Sequence, residues 1–170
     1  MARMNVSPTR MVLTSLKKRL QTARKGHKLL KDKRDELMKK FLDIVRENKA
    51  LREEVEEKLS VVHSRFVMAR AVMTSESVEE ALMFPKVEVN LKTSSRNIMS
   101  VDVPVLEFTT EMGTEGDIYP YGFANTAAEL DEAISTLSEL TPRLLKLAET
   151  EKSAQLLADE IEKTRRRVNA

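Results

Sequence analysis

From Leu13 onward the apolar positions recur at alternating spacings of three and four residues. One position of the repeat reads Leu13, Leu20, His27, Arg34, Phe41, Asn48, Val55, Val62, and the other reads Leu16, Ala23, Leu30, Leu37, Ile44, Leu51, Lys58. Side chains spaced in this way share one stripe of an α-helix and form the seam of a coiled coil. Ser7-Pro8 supplies a start, with the serine as N-cap and the proline in the first turn, and no second proline appears until Pro85. Gly26 weakens the helix by about 1 kcal/mol relative to alanine without ending it. A helix running from about residue 9 to about residue 73 is on the order of 95 Å long at 1.5 Å per residue, deeper than the core of any small domain. The polar residues His27, Arg34 and Asn48 share one seam position, where polar groups set register and partner number at some cost in stability.

The pattern changes after Met73. A Ser-x-x-Glu capping box within Ser75–Met83 predicts a short helix that Pro85 ends. Two alternating, β-branched runs follow, Lys86–Leu91 and Asn97 to about residue 106, which read as a hairpin joined by Lys92-Thr-Ser-Ser-Arg96. An isolated two-stranded hairpin is marginal in water, so it is expected to pack on the helices or on a partner. Met112–Gly116 reads as a loop, closed by the turn formers and rings of Tyr119–Phe123. The three-four alternation then returns at Leu130, Ala133, Leu137, Leu140, Leu144, Leu147, Glu151, Ala154, Ala158, Ile161, Arg165 and Val168. Pro142 interrupts it, and Thr141 is placed to cap a kinked or restarted helix.

These elements predict a mainly α fold: a long antiparallel two-helix coiled coil with a short helix and a small β-hairpin inserted at its turn end. The expected division is residues 1–73 for the first helix, 74–124 for the insert and 125–170 for the returning helix. At equal rise per residue the returning helix reaches only to about residue 28 of the first, leaving Leu13, Leu16, Leu20 and Ala23 without an internal partner. That uncovered seam and an ending with no glycine cap predict a chain cut inside its second helix, a partner chain or self-association.

Composition fits an elongated molecule, since only 4% of the 170 residues are aromatic while 33% are charged and must nearly all reach solvent. The formal charge of +2 is unevenly spread, with the first 40 residues holding 13 Lys/Arg against 3 Asp/Glu, so one end is electropositive. There are no cysteines, no apolar run approaching the roughly 20 residues of a membrane span and no signal-peptide block, and the reading is a soluble cytoplasmic protein. No phosphate-cradling glycine loop is present, and His27 and His63 do not stand at metal-ligand spacing. Asp32, Asp35 and Glu36 read as surface partners of Lys28, Lys31 and Lys39 rather than as acid–base groups. No catalytic residue, cofactor or metal is expected.

Several blocks then carry a resemblance: Asn5–Met11, Leu16–Leu20, Gly26–Lys33, Asp35–Met38, Asn97–Ser100, Ala128–Asp131, Leu144–Glu149 and Glu160–Ala170. In this order they resemble the D subunit of the V-type/A-type rotary ATPases over nearly the whole chain. The resemblance implies a non-catalytic central rotor shaft that couples ATP hydrolysis or synthesis to rotation and ion transport. It further implies three neighbours: the catalytic A/B hexamer around the terminal ends of the coiled coil, the small central-stalk F subunit lower down, and a funnel-shaped subunit linking the stalk to the membrane ring. Family members continue past the Arg-Arg-Arg-Val-Asn-Ala block where this chain stops, which bears on how far it reaches into the hexamer.

On this reading Lys17, Lys18, Arg19, Arg24, Lys25 and Lys28, with Arg165, Arg166 and Arg167 on the returning helix, are the candidate hexamer contacts, guided by acidic loops of the catalytic subunits. Large apolar groups near the lower end, Phe66, Met68, Met83 and Phe84, and the hairpin residues Val87, Val89, Ile98, Met99 and Val101 are the candidate contacts for the other stalk components. The rival readings are a coiled-coil arm that grips structured RNA, weakened by the lack of aromatic residues among the cations, and a self-associating helical scaffold. Direct nucleic-acid binding and direct membrane insertion are not expected.

Overall fold

A computed structural model of the chain describes residues 7–112, 118–124 and 126–169. Helix α1 runs Arg10–Val72 and α2 Ser75–Leu82; strands β1, Val87–Ile98, and β2, Val101–Met112, form an antiparallel hairpin; α3 spans Ala128–Asn169. The expected mainly α architecture is therefore found, although five local features differ.

The N-cap of the 63-residue α1 lies two residues later than Ser7, because Thr9 caps the helix: its Oγ1 accepts the Val12 N–H at 3.4 Å. Thr74 caps α2 in the same way, accepting from Ser77 N–H at 3.3 Å, so the cap lies three residues before Ser77, which opens the serine–glutamate box with Glu80. The helix α3 passes through Pro142 without restarting. Thr141, expected to cap a new helix, instead donates its hydroxyl to the Leu137 carbonyl at 2.9 Å, as a mid-helix threonine does.

Helices α1 and α3 pack antiparallel along the seam. Leu37 is fully buried against Leu157 and Ile161, and Ala69 at the other end meets Leu130. Ion pairs fix the same register between these points: Lys33–Glu160 at 3.3 Å, Glu54–Arg143 at 2.5 Å and Arg65–Glu132 at 3.0 Å, with Arg52–Glu151 between them. In α1 every expected heptad position from Leu30 down to Val62 is buried or half-buried. In α3 the stripe is displaced after Leu147, since Thr150, Ser153, Leu157 and Thr164 are buried while Ala158 and Arg165 are exposed and Glu151 is half-exposed. The cause is two-sided packing: α3 touches both α1 and β2, so its covered face is wider than one seam. Thr150 and Ser153 can lie there because their hydroxyls are satisfied by the helix itself, Thr150 on the Leu147 carbonyl at 2.9 Å and Ser153 on that of Glu149 at 2.8 Å.

The hairpin is longer than its alternating runs suggested. Its strands pair residue for residue from Val87 with Met112 to Ile98 with Val101, which places Lys92–Arg96, the expected loop, inside β1. The reversal is made by Met99 and Ser100, both left-handed, with φ of 53° and 70°. A two-residue turn of this kind usually recruits asparagine and glycine, and the absence of both is why the polar run looked like the better turn. Here Asn97 closes the turn, its side-chain oxygen accepting from Ser100 N–H at 3.0 Å while its amide donates to Asp102 at 2.7 Å. Packing of Met99 and Ile98 against the Leu37 cluster holds the left-handed residues in place.

At the turn end of the coiled coil Ala69, Ala81 and Leu130 form a second small core with Phe66, Met73, Tyr121 and Ile134 around it. Tyr119, Tyr121 and Phe123 stack edgewise there, Tyr119 and Phe123 at 5.3 Å between centroids, and Tyr121 donates to Asp131 at 2.8 Å. The expected loop at 112–116 lies outside the described residues from 113 onward.

Candidate functional site

Twelve-residue strands reach about 40 Å at roughly 3.3 Å per residue. The hairpin uses that length to lie back along the coiled coil instead of projecting from its end. Its tip inserts Val101 and Val103, 8% and 1% exposed, into the cluster of Leu37, Leu157 and Ile161. Midway, the Leu106 N–H donates to Glu149 at 3.2 Å, and Lys146 holds the other oxygen of the same carboxylate at 2.8 Å. Burial alone would push the Glu149 carboxyl up, but the Lys146 ammonium, the Leu106 N–H and the nearby Arg96 charge together outweigh it and hold the group below its ordinary value. At its base the hairpin, the end of α2 and the Pro142 region of α3 enclose an open cavity of about 450 Å³, lined by Leu82, Val87, Val89, Ile134 and Leu137 among others.

This arrangement sorts the stalk-contact candidates into two groups. Val101 is buried, and Ile98, Met99 and Phe66 are partly buried in the protein's own clusters, so their work is internal. Met68, Met83, Phe84 and Val89 are exposed, Phe84 by 75%, and Val87 is half-buried at the cavity. Met83 and Phe84 follow α2 directly. The signal available in the sequence was their position just before Pro85, where no helical seam continues to cover them.

The cationic candidates stand at the opposite end. Lys17, Lys18, Arg19, Arg24, Lys25 and Lys28 are all exposed on α1, and Arg165, Arg166 and Arg167 are exposed on the last turns of α3, where the helix register sets them across from the region just below Lys28. Of these only Arg166 forms an ion pair among the described residues, with Glu162 on its own helix. Met11, Leu13 and Leu20 on the same stretch are 85%, 53% and 51% exposed. No described α3 residue lies opposite them. Among the seam polar residues, His27 is exposed in this uncovered stretch, while Arg34 and Asn48 are half-buried within the paired region, Arg34 bonded to Asp35 at 2.6 Å.

The sequence reading missed the buried polar residues Thr150, Ser153 and Thr164, the last of which differs from the other two. Thr164 is 1% exposed and its hydroxyl has no hydrogen-bond partner, close to the upper limit of the helix pair. Among the described residues no three histidine or carboxylate side chains converge as a metal site, and no helix is long and apolar enough to cross a membrane.

The described residues thus form a two-helix shaft with a docked side arm, exposed apolar side chains at one end and an uncovered, cationic stretch at the other. The chain belongs to the family of ATP synthase D subunits, whose sequence profile matches residues 12–170. It is 67% identical over 170 residues to the V-type ATP synthase D subunit of Acetivibrio thermocellus, covering all of this chain and 77% of that protein. It is 62% identical to the protein of the same name from Clostridioides difficile, over 76% of its length, and 60% identical to that of Clostridium novyi, over 79%.

Proposed function

We propose that the chain is a central-stalk rotor shaft of a V-type ATP synthase and transmits work between nucleotide chemistry and ion transport without catalysing either. The observation that carries this reading is the match to D-subunit relatives along the entire chain, joined to a coiled coil whose α1 alone is 63 residues long. Two helices wound together resist torsion better than one, and an asymmetric shaft inside a three-fold pseudo-symmetric hexamer presents a different face to each catalytic site. Shaft angle and nucleotide then bias the same conformational equilibrium.

On this reading the cationic stretch Lys17–Lys28 and Arg165–Arg167 enters the catalytic A/B hexamer, steered by acidic loops. The exposed Met68, Met83 and Phe84 face the small stalk component, the F subunit, and the funnel-shaped one, which keeps the protein peripheral to the membrane. The family assignment displaces the RNA-arm and scaffold readings.

Native mass spectrometry of the chain mixed with a rotary ATPase's hexamer and small stalk component tests the proposal. One copy per hexamer together with one small stalk component is the expected result. Binding to neither overturns it.

A further inference from the structure

The hairpin spends its burial at one end. Among its described residues only Val101 and Val103, at the tip, are buried, and every β1 residue from Glu88 to Asn97 is exposed. The two valines do more than rest on the shaft. They complete a core drawn from three elements, with Leu37, Phe41 and Ile44 supplied by α1 and Leu157 and Ile161 by α3.

That core is separate from the cluster of Ala69, Ala81 and Leu130 at the turn end. Directly below the upper core the helix pair becomes polar. Asn48 occupies a seam position of α1 and is half-buried, and Thr150 is buried on α3. The ion pairs Lys33–Glu160 and Glu54–Arg143 lie above and below these two residues, which places both in the same stretch of the pair. Polar groups along a seam weaken the pairing around them. Parting the helices here also strands no hydroxyl, because that of Thr150 is already spent on the Leu147 carbonyl of its own helix at 2.9 Å.

The hairpin is fastened across this polar turn. The Leu106 N–H clips it to Glu149, the residue beside Thr150, and the tip is seated beyond, in the Leu37 core. Above that core little else holds α1 to α3. Lys33–Glu160 is a partly exposed ion pair, of a kind that contributes little. Thr164 is buried with its hydroxyl unpartnered, and Leu30 and Val168 are only half-buried.

We propose that the hairpin is a strap that keeps the upper part of the helix pair closed, and that the polar turn of Asn48 and Thr150 is the hinge from which this part opens when the tip is unseated. The opening is a local one, since the pairing below the turn has its own core. The root of the strap follows α2 and the exposed Met83 and Phe84. An event at the turn end therefore reaches the helix pair about 40 Å away, along strands of 12 residues at roughly 3.3 Å each. The inference rests on packing within this chain, and the rotor reading stands whether or not it holds.

Double electron–electron resonance on the full chain tests it, since the sequence has no cysteine to compete with introduced spin labels. Labels at Lys40→Cys and Asp159→Cys span the helices above the polar turn, and labels at Glu57→Cys and Glu139→Cys span them below it; all four positions are exposed. Val103→Asp unseats the tip, and Val103→Thr, which keeps the shape of the side chain and the strand ladder, unseats it in part. With the tip intact both pairs should give single narrow distance distributions. Val103→Asp should at least double the width of the upper distribution and leave the lower one unchanged, with Val103→Thr in between. Making the hinge apolar, by Asn48→Leu with Thr150→Val, should restore the narrow upper distribution in the Val103→Thr chain. An upper distribution unchanged in both Val103 variants, equal broadening of the two pairs in Val103→Thr, or broadening that persists with the apolar hinge would each overturn the proposal.

Discussion

The stretch of α1 from Arg10 to Leu29 and the stretch from Leu30 to Val72 carry the same three-four repeat, yet they are physically unlike. Leu13 and Leu20 are 53% and 51% exposed, whereas Leu37 has no accessible surface. A heptad pattern records which side of a helix is prepared to meet a partner, and burial appears only where α3 and β2 are present to meet it. The lower stretch is thereby fixed in register by cores and ion pairs. The upper stretch is left as a cationic, apolar-striped rod.

The largest effect is expected where both helices and the hairpin converge. Leu37→Ala should lower unfolding free energy by about 2–5 kcal/mol in a denaturant titration, because Leu157, Ile161 and the hairpin tip cannot all close the cavity. Leu20→Ala, the same change in the upper stretch, should stay within about 0.5 kcal/mol of the parent. Equal losses at both positions would mean that the upper seam is covered after all.

Next in size is the turn. Ser100→Gly relieves a left-handed serine and should stabilise the chain by about 1 kcal/mol, read in the same titration. The exposed cross-helix pair Arg143–Glu54 should give a coupling of about 0.2–1 kcal/mol in a double-mutant cycle.

The Glu149 cap adds a pH dependence. Its carboxyl is held below the ordinary value in the folded chain, so its contribution is present above that ordinary value and fades as pH falls through the lowered one. The Leu106 amide shift should therefore titrate on the acid side of the usual carboxylate range, and Glu149→Gln should remove the step while Lys146 loses its partner.

Much of the fold was legible because helical periodicity is a local property. The length of α1, the antiparallel return and the mismatch that leaves Leu13 and Leu20 bare all follow from spacing and rise per residue. The cationic candidates were legible for the same reason, since exposed charges on a helix need no partner to stay exposed. The hairpin turn and the α3 stripe were not. Met99 and Ser100 bend where no turn-forming residue stands, because Asn97 bonds across the turn and the Leu37 cluster holds Met99. Thr150, Ser153 and Thr164 face inward because β2 covers a second side of α3.

The sequence by itself determined the helices and the stripe each of them presents, since these depend on neighbours three or four residues apart. Only the tertiary structure decided that the hairpin lies along the shaft, with Val101 and Val103 spent on internal packing and the β1 edge turned to solvent. That choice rests on contacts between residues more than fifty positions apart, and their free energy is invisible in any local window.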